Sequence, residues 1–260
     1  MSLVNYSKDR GVGVLELDAP PANTYSYEMM KELDSAVLDA RMDENVHVLV
    51  LTGRGEKFFC SGADINMLNR ATPAFKYSFC LHANETLNRL EQTPKLVIAA
   101  LNGHTVGGGL EIALAADLRV ARKDGGKIGL PEVNLGVLPG TGGTQRLARL
   151  VGRSRAIELM VTGKLMTFEE AQALGLINGI LAGERFRESV LEYAAAFVPP
   201  QRASMAVGRI KRAVTSGAES SLSEGLALER ELQQQLFLSN DAREGIAAHV
   251  EKREPKFQGS

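Results

Sequence analysis

Residues 96–117 read LVIAALNGHTVGGGLEIALAAD. The first six, Leu96 to Leu101, are a short apolar run, the form taken by a strand buried on both faces. Gly103 to Gly109 then bring a glycine-rich turn, and the small residues of EIALAAD suit a tightly packed helix. Strand, loop and helix in this order predict one unit of an α/β fold.

The same alternation extends toward the N-terminus. Val46 to Leu51, VHVLVL, is a β-branched run ending at Thr52-Gly53 and predicts another doubly buried strand. After it, Thr72-Pro73 has the form of an N-cap with proline at the first helical position. Phe79, Ala83, Leu87 and Leu90 follow at helical spacing, toward an end near Pro94. Earlier still, Gly11 to Asp18, GVGVLELD, alternates as a strand; Pro20-Pro21 breaks it, and Met29, Leu33, Ala36, Val37 and Ala40 mark one apolar helix face. Repeated strand–helix units predict right-handed crossovers and a parallel-type sheet covered by helices. From about Thr141 onward the chain turns mostly helical, with capping-box patterns at Thr167 to Glu170 and Ser221 to Glu224. Neither a clean linker nor an internal repeat divides it.

Composition narrows the function classes. With 260 residues, 44% hydrophobic and 23% charged, the chain predicts a globular protein with one main core. A net charge of −1 provides no basic field for nucleic acid or an anionic membrane. Cys60 and Cys80 are too few for a disulfide framework, which points to a reducing compartment. With no signal-peptide stretch and no run near the roughly 18 apolar residues of a membrane span, a cytoplasmic protein is expected.

Candidate chemistry gathers on two loops, Phe59-Cys60-Ser61-Gly62-Ala63-Asp64 and Gly103 to Gly109. Loops at strand ends present polar groups from a fixed scaffold. A triple glycine opening a helix can aim unpaired N–H groups at an anion, and it also serves as a tight turn with close helix packing. Glu111 falls in the first helical turn among Leu110, Ile112, Ala113, Leu114 and Ala115. There it is either an exposed charge complementing the helix dipole or a buried catalytic carboxylate. Glu132 follows a short strand, and LPGTGG at 138–143 is a second glycine-rich helix entry. That loop does not match a phosphate-binding motif, because no Gly-Lys-Ser or Gly-Lys-Thr closes it. His47, His82, His104 and His249 are scattered without metal-ligand spacing, and Cys60 reads as a packing residue.

Taken together, CSGADI (60–65), NGHTVGGGLEIALAAD (102–117), GLPEVNLGVLPGTGGTQRL (129–147) and EGIAAHVEKREPKF (244–257) resemble the enoyl-CoA hydratase/isomerase, or crotonase, family. The resemblance implies an α/β spiral of ββα turns over 1–195 and a C-terminal helical extension over 196–260 that builds a homotrimer, often paired into a hexamer. It implies an acyl-CoA thioester as substrate and no separate cofactor or metal, coenzyme A being part of the substrate. It also implies that the N–H groups of Ala63 and Gly108 form an oxyanion hole and that Glu111 and Glu132 are the acidic pair of the hydratases. Coenzyme A is then expected along Ala63, Asp64 and Ile65, with Gly140 also beside the substrate. Lys57 either meets a phosphate or is an ordinary loop lysine, and Phe257 either reaches a neighbouring subunit's ligand or simply packs. With both acids present, hydration of a 2-enoyl-CoA to a 3-hydroxyacyl-CoA is the expected reaction, Glu111 activating water and Glu132 protonating the α-carbon. A double-bond isomerase, another acyl-CoA lyase or hydrolase, and a catalytically silent acyl-CoA-binding scaffold are the alternatives.

Two places depart from the family pattern. Tyr25, in PPANTY, is an unusual entry on a turn that the resemblance places along the pantetheine or acyl channel; a plain surface turn is the alternative. One residue is also added around Lys123-Asp124-Gly125-Gly126, which reads as a hairpin tip able to absorb it without moving Glu132.

Overall fold

The computed structural model describes residues 2–260. The chain opens with an antiparallel hairpin of β1 (Val4–Asp9) and β2 (Val12–Leu17). Arg10 and Gly11 turn it with φ of 45° and 80°, the positive values that match a hairpin to strand twist. The sequence pattern finds β2 and misses β1, half of which is exposed at the sheet edge and carries Ser7, Lys8 and Asp9. Helix α1 (Tyr27–Met42) starts at Ser26, whose hydroxyl accepts the Met29 N–H, and it buries the expected face of Met29, Leu33, Ala36, Val37 and Ala40.

Three turns of a spiral follow. Each places one strand in a large sheet and one short strand in a small sheet before entering a helix. The first turn is β3 (Val48–Gly53), β4 (Phe58–Cys60), then α2 (Ile65–Arg70) and α3 (Pro73–Glu91). The second is β5 (Leu96–Leu101), β6 (His104–Val106) and α4 (Gly108–Leu114). The third is β7 (Leu118–Arg122), β8 (Lys127–Gly129), a 3₁₀ turn at Glu132–Leu135 and α5 (Gly143–Val151). The chain then adds α6 (Arg153–Thr162), β9 (Met166–Thr167), α7 (Phe168–Ala173), β10 (Gly179–Leu181) and α8 (Phe186–Ala195). It ends in α9 (Ser204–Gly217), α10 (Leu222–Phe237) and α11 (Asn240–Glu251). Both expected capping boxes form, at Thr167 and at Ser221. Among the described residues no helix is long and apolar enough to cross a membrane.

The large sheet runs β1-β2-β3-β5-β7-β10, parallel from β2 onward, and the small one runs β4-β6-β8-β9 with its first three strands parallel. Period-two packing explains why the central strands β3 and β5 read as apolar runs. Val48 and Val50 of β3 face α8, while Leu49 and Leu51 face the core shared with α1 and α3. Two expectations need correction. Phe59, Cys60 and residues 104–106 are not loop but the short strands β4 and β6, too brief to show a period. Residues 123–126 are not a hairpin tip either, because β7 and β8 belong to different sheets. Asp124, at φ 56°, and a Gly125 N–H donated to Arg122 O turn a corner between the sheets.

Helix α9 is tied to the spiral by a buried ion pair. Lys211 Nζ lies 2.8 Å from Asp117 and donates to Lys95 O, and Asp117 also accepts the Val97 N–H. Burial pushes the carboxyl up and the ammonium down, so each group is held by the other against desolvation. Lys211→Met should therefore cost about 3–5 kcal/mol in urea unfolding, and Lys211→Met with Asp117→Asn should recover most of that loss.

Candidate active site

The entry to α4 is built by close approach. Gly107 turns the chain at φ 57° and donates its N–H to Gly129 O. A β-carbon on Gly108 would lie 1.8 Å from Tyr25 Cε1, and one on Gly109 would lie 2.1 Å from Cys60 O. Only glycine fits at either position. Tight packing and a free amide coexist here, because Gly108 is the first helical residue and its N–H has no carbonyl partner within the helix. Facing it, Tyr25 and Ala63 form a parallel bridge in which Tyr25 N–H donates to Gly62 O and Asp64 N–H donates to Tyr25 O. That pairing leaves the Ala63 N–H on the opposite side, unused by the bridge. A β-carbon on Gly62 would stand 3.4 Å from Gly108 N, so the two loops abut.

Glu111, one turn into α4, is only 2% exposed. Its Oε1 accepts the N–H groups of Thr141 at 2.7 Å and Gly143 at 2.8 Å, and its Oε2 accepts the Thr141 hydroxyl. The LPGTGG entry to α5 thus does bind an anion, one supplied by the chain itself. Glu132 stands on the 3₁₀ turn, and its Oε2 is buried with no hydrogen-bond partner among the described residues. Burial, joined by the charge of Glu111, pushes its carboxyl from 4.5 up to about 7, against the opposing effects of its own N–H and of Lys76. A β-carbon on Gly107 would come within 3.1 Å of Glu132 Oε1, so glycine there makes room for the acid.

Ala63, Ile65, Gly108, Glu111, Glu132 and Gly140 all line one cavity of about 270 Å³. This is below the usual ~300–1,000 Å³ of whole-ligand pockets and suits the reacting end of a larger molecule. Two expected residues lie apart from it. Asp64 spends its carboxylate capping α2, accepting from Asn66 N–H at 2.7 Å and Met67 N–H, and Lys57 is exposed with Nζ 5.4 Å from the Phe58 ring. Phe257 packs on Gly245 of α11, where a β-carbon would meet its ring at 3.2 Å. Cys60 is fully buried, which pushes its thiol up to about 12 and agrees with a packing role. Tyr25 is no surface turn: it is 3% exposed and lines the cavity. Thr141 and Lys76 escaped the sequence reading. Thr141 meets Glu111 across 30 residues of sequence, and half-buried Lys76 reaches the cavity from α3; no local pattern marks either contact.

A family model described as enoyl-CoA hydratase/isomerase matches residues 7–260. The chain belongs to the enoyl-CoA hydratase/isomerase family. A short-chain-enoyl-CoA hydratase of Clostridium acetobutylicum is 36% identical over 253 residues, covering 97% of this chain and 95% of the relative. The crystal structure of an enoyl-CoA hydratase from Geobacillus kaustophilus HTA426 superposes with a TM-score of 0.95 at 45% identity, covering 100% of this chain and 98% of the other. One from Bacillus anthracis superposes with a TM-score of 0.92 at 33% identity, covering 99% and 100%. The crotonase fold of the family is thus present over the whole chain.

Glu132 carries a stability signature independent of any reaction. Between pH 4.5 and about 7 the folded protein keeps a proton that the unfolded chain releases, so stability falls as pH rises through that window. Glu132→Gln removes the titration. Its melting temperature should exceed that of the parent by a few degrees at pH 8, and the difference should close below pH 4.5 in thermal scans.

Proposed function

We propose that this chain adds water across the double bond of a 2-enoyl-CoA thioester to form a 3-hydroxyacyl-CoA. The observation that carries the reading is the inequality of its two glutamates within one cavity: Glu111 is held by three donors and Glu132 Oε2 has none. A carboxylate has about four acceptor sites. Three are filled on Glu111, so one on Oε2 remains to orient and deprotonate a water. Glu132, with its carboxyl near 7, is protonated in part at neutral pH and can deliver a proton.

The water oxygen bonds to the β-carbon as Glu111 takes its proton, and the π electrons move toward the thioester oxygen as an enolate. The N–H groups of Ala63 and Gly108 stabilise that oxygen, each such donor being worth about 3–4 kcal/mol. Glu132 then protonates the α-carbon, so one water is added in all. Proton exchange with solvent resets the pair. Coenzyme A arrives as part of the substrate, runs along Ala63 to Ile65, and places a phosphate near Lys57. Residues 1–195 form the catalytic spiral, and the helices beyond 196 form a trimer contact, supported by exposed Ile210, Val214, Leu226, Phe237 and Ile246.

Glu111→Gln and Glu132→Gln should each lower kcat for crotonyl-CoA hydration by about 10²–10⁴-fold, and full activity in either variant refutes the mechanism. Hydration kcat/KM should fall as pH rises through about 7, where Glu132 loses its proton. Lys76→Met should move that limb to higher pH, since Lys76 favours the ionised form. Product analysis with 2-enoyl and 3-enoyl thioesters separates hydration from isomerisation.

A further inference from the structure

Tyr25 is fixed before its side chain does anything. Asn23, buried at φ 50°, donates to the carbonyls of Arg54 and Phe58, accepts the Ala19 N–H, and so pins the loop; the bridge to Ala63 holds Tyr25 itself. The ring stacks on Phe79, with centroids 5.6 Å apart and planes at 17°, and lies against Gly108. Its hydroxyl is 3.4 Å from Thr141 Oγ1. Thr141 has one hydroxyl proton, committed to Glu111 Oε2, so the phenol is the donor in this contact. Burial, then the charge of Glu111, pushes the phenol well above its usual range and keeps that proton in place. At 3.4 Å the contact is longer than an ordinary O–H···O bond, a common condition of catalytic hydrogen bonds before substrate binds.

We propose that Tyr25 is a positioning residue for the acid–base site, acting through Thr141 on Glu111. The phenol proton fixes the lone pairs of Thr141 Oγ1 and thereby aims the threonine proton at Glu111 Oε2. That aim determines which lone pair of Oε2 is left for water. The same ring packs on Gly108, so a single side chain sets the relation between the carboxylate that handles water and the amide that meets the thioester oxygen. Its role rests on the hydratase reading, whereas the chain of hydrogen bonds does not.

A double-mutant cycle of Tyr25→Phe and Thr141→Val in the full-length protein tests it with crotonyl-CoA. Tyr25→Phe, which keeps the ring, should lower kcat about 3- to 10-fold with KM within about twofold, the size of one neutral hydrogen bond. Thr141→Val should lower kcat about 10- to 100-fold, as for a hydrogen bond to a charged group. On the Thr141→Val background, adding Tyr25→Phe should change kcat less than twofold, whereas on Thr141→Ser, which retains the hydroxyl, the sensitivity to Tyr25→Phe should persist. The pH limb near 7 should stay in place in all of them, because Glu132 is untouched. Additive losses, or a raised KM at unchanged kcat, overturn the proposal and leave Tyr25 as a wall of the acyl pocket. An infrared band of the Glu111 carboxyl, isolated by subtracting the Glu111→Gln spectrum, reads the chain without turnover. It should move in Tyr25→Phe but not when that change is added to Thr141→Val, and an unmoved band also overturns the proposal. If the parent does not hydrate crotonyl-CoA, the hydratase reading fails and the spectrum alone decides the role of Tyr25.

Discussion

Burial of the Glu111 carboxylate is the constraint around which this spiral is arranged. A charge at 2% exposure is tolerated only where donors replace the water it has lost. The donors come from the next turn of the spiral, at the entry to α5, where Gly142 at φ 116° lets the amides of Thr141 and Gly143 converge on one oxygen. Helix α4 has seven residues and is too short to be stable by itself. Its first turn is held through Glu111, and beyond its last turn Arg119 donates to the carbonyls of Ala113 and Ala116. Both ends are thereby tied to neighbouring elements, and the carboxylate is as fixed as the backbone around it.

The three glycines that open α4 answer three separate demands. Gly107 leaves room for Glu132, Gly108 for the ring of Tyr25, and Gly109 for the carbonyl of Cys60. A turn motif is thus also a packing motif and a site motif. It allows the same chemical group to occupy two environments within one cavity. One glutamate is held by donors, and the other has a buried oxygen without a partner and a carboxyl raised to about 7. Separate environments for a pair of like groups are what permit separate acid and base roles.

Strands β3 and β5 of the large sheet were legible because they are buried on both faces and long enough to show it, as in Val48 to Leu51 and Leu96 to Leu101, whereas β1 was not, its second half being exposed. Caps were legible too, since Thr72, Thr167 and Ser221 bond to their own next turn. Of the small sheet only the strand before Glu132 was legible, because three residues of β4 or β6 carry no period and are recognised only by pairing with each other. Within the site, Glu111 and Glu132 stood out as carboxylates beside glycine loops. Thr141 did not, since its function depends on a contact 30 residues away that no local pattern encodes. The corner at residues 123–126 was misread for a related reason: charge and glycine mark a turn without revealing which two sheets it joins.

That small sheet, of which the pattern shows only the strand before Glu132, explains why the candidate site residues meet. Strands β4, β6 and β8 are parallel neighbours, with Cys60 beside Thr105 and Thr105 beside Ile128. Residues just beyond their C-terminal ends must therefore share one edge, the edge where ligands bind in open α/β sheets. Ala63 follows β4, Gly108 and Glu111 follow β6, and Glu132 follows β8. The 123–126 corner lies at the other end of β8. Between the corner and Glu132, β8 is locked by its pairing to β6 on one side and to β9 on the other. The position of Glu132 is thus set by the pairing of β8 with its neighbours and not by the corner, which is how it comes to line one cavity with Glu111.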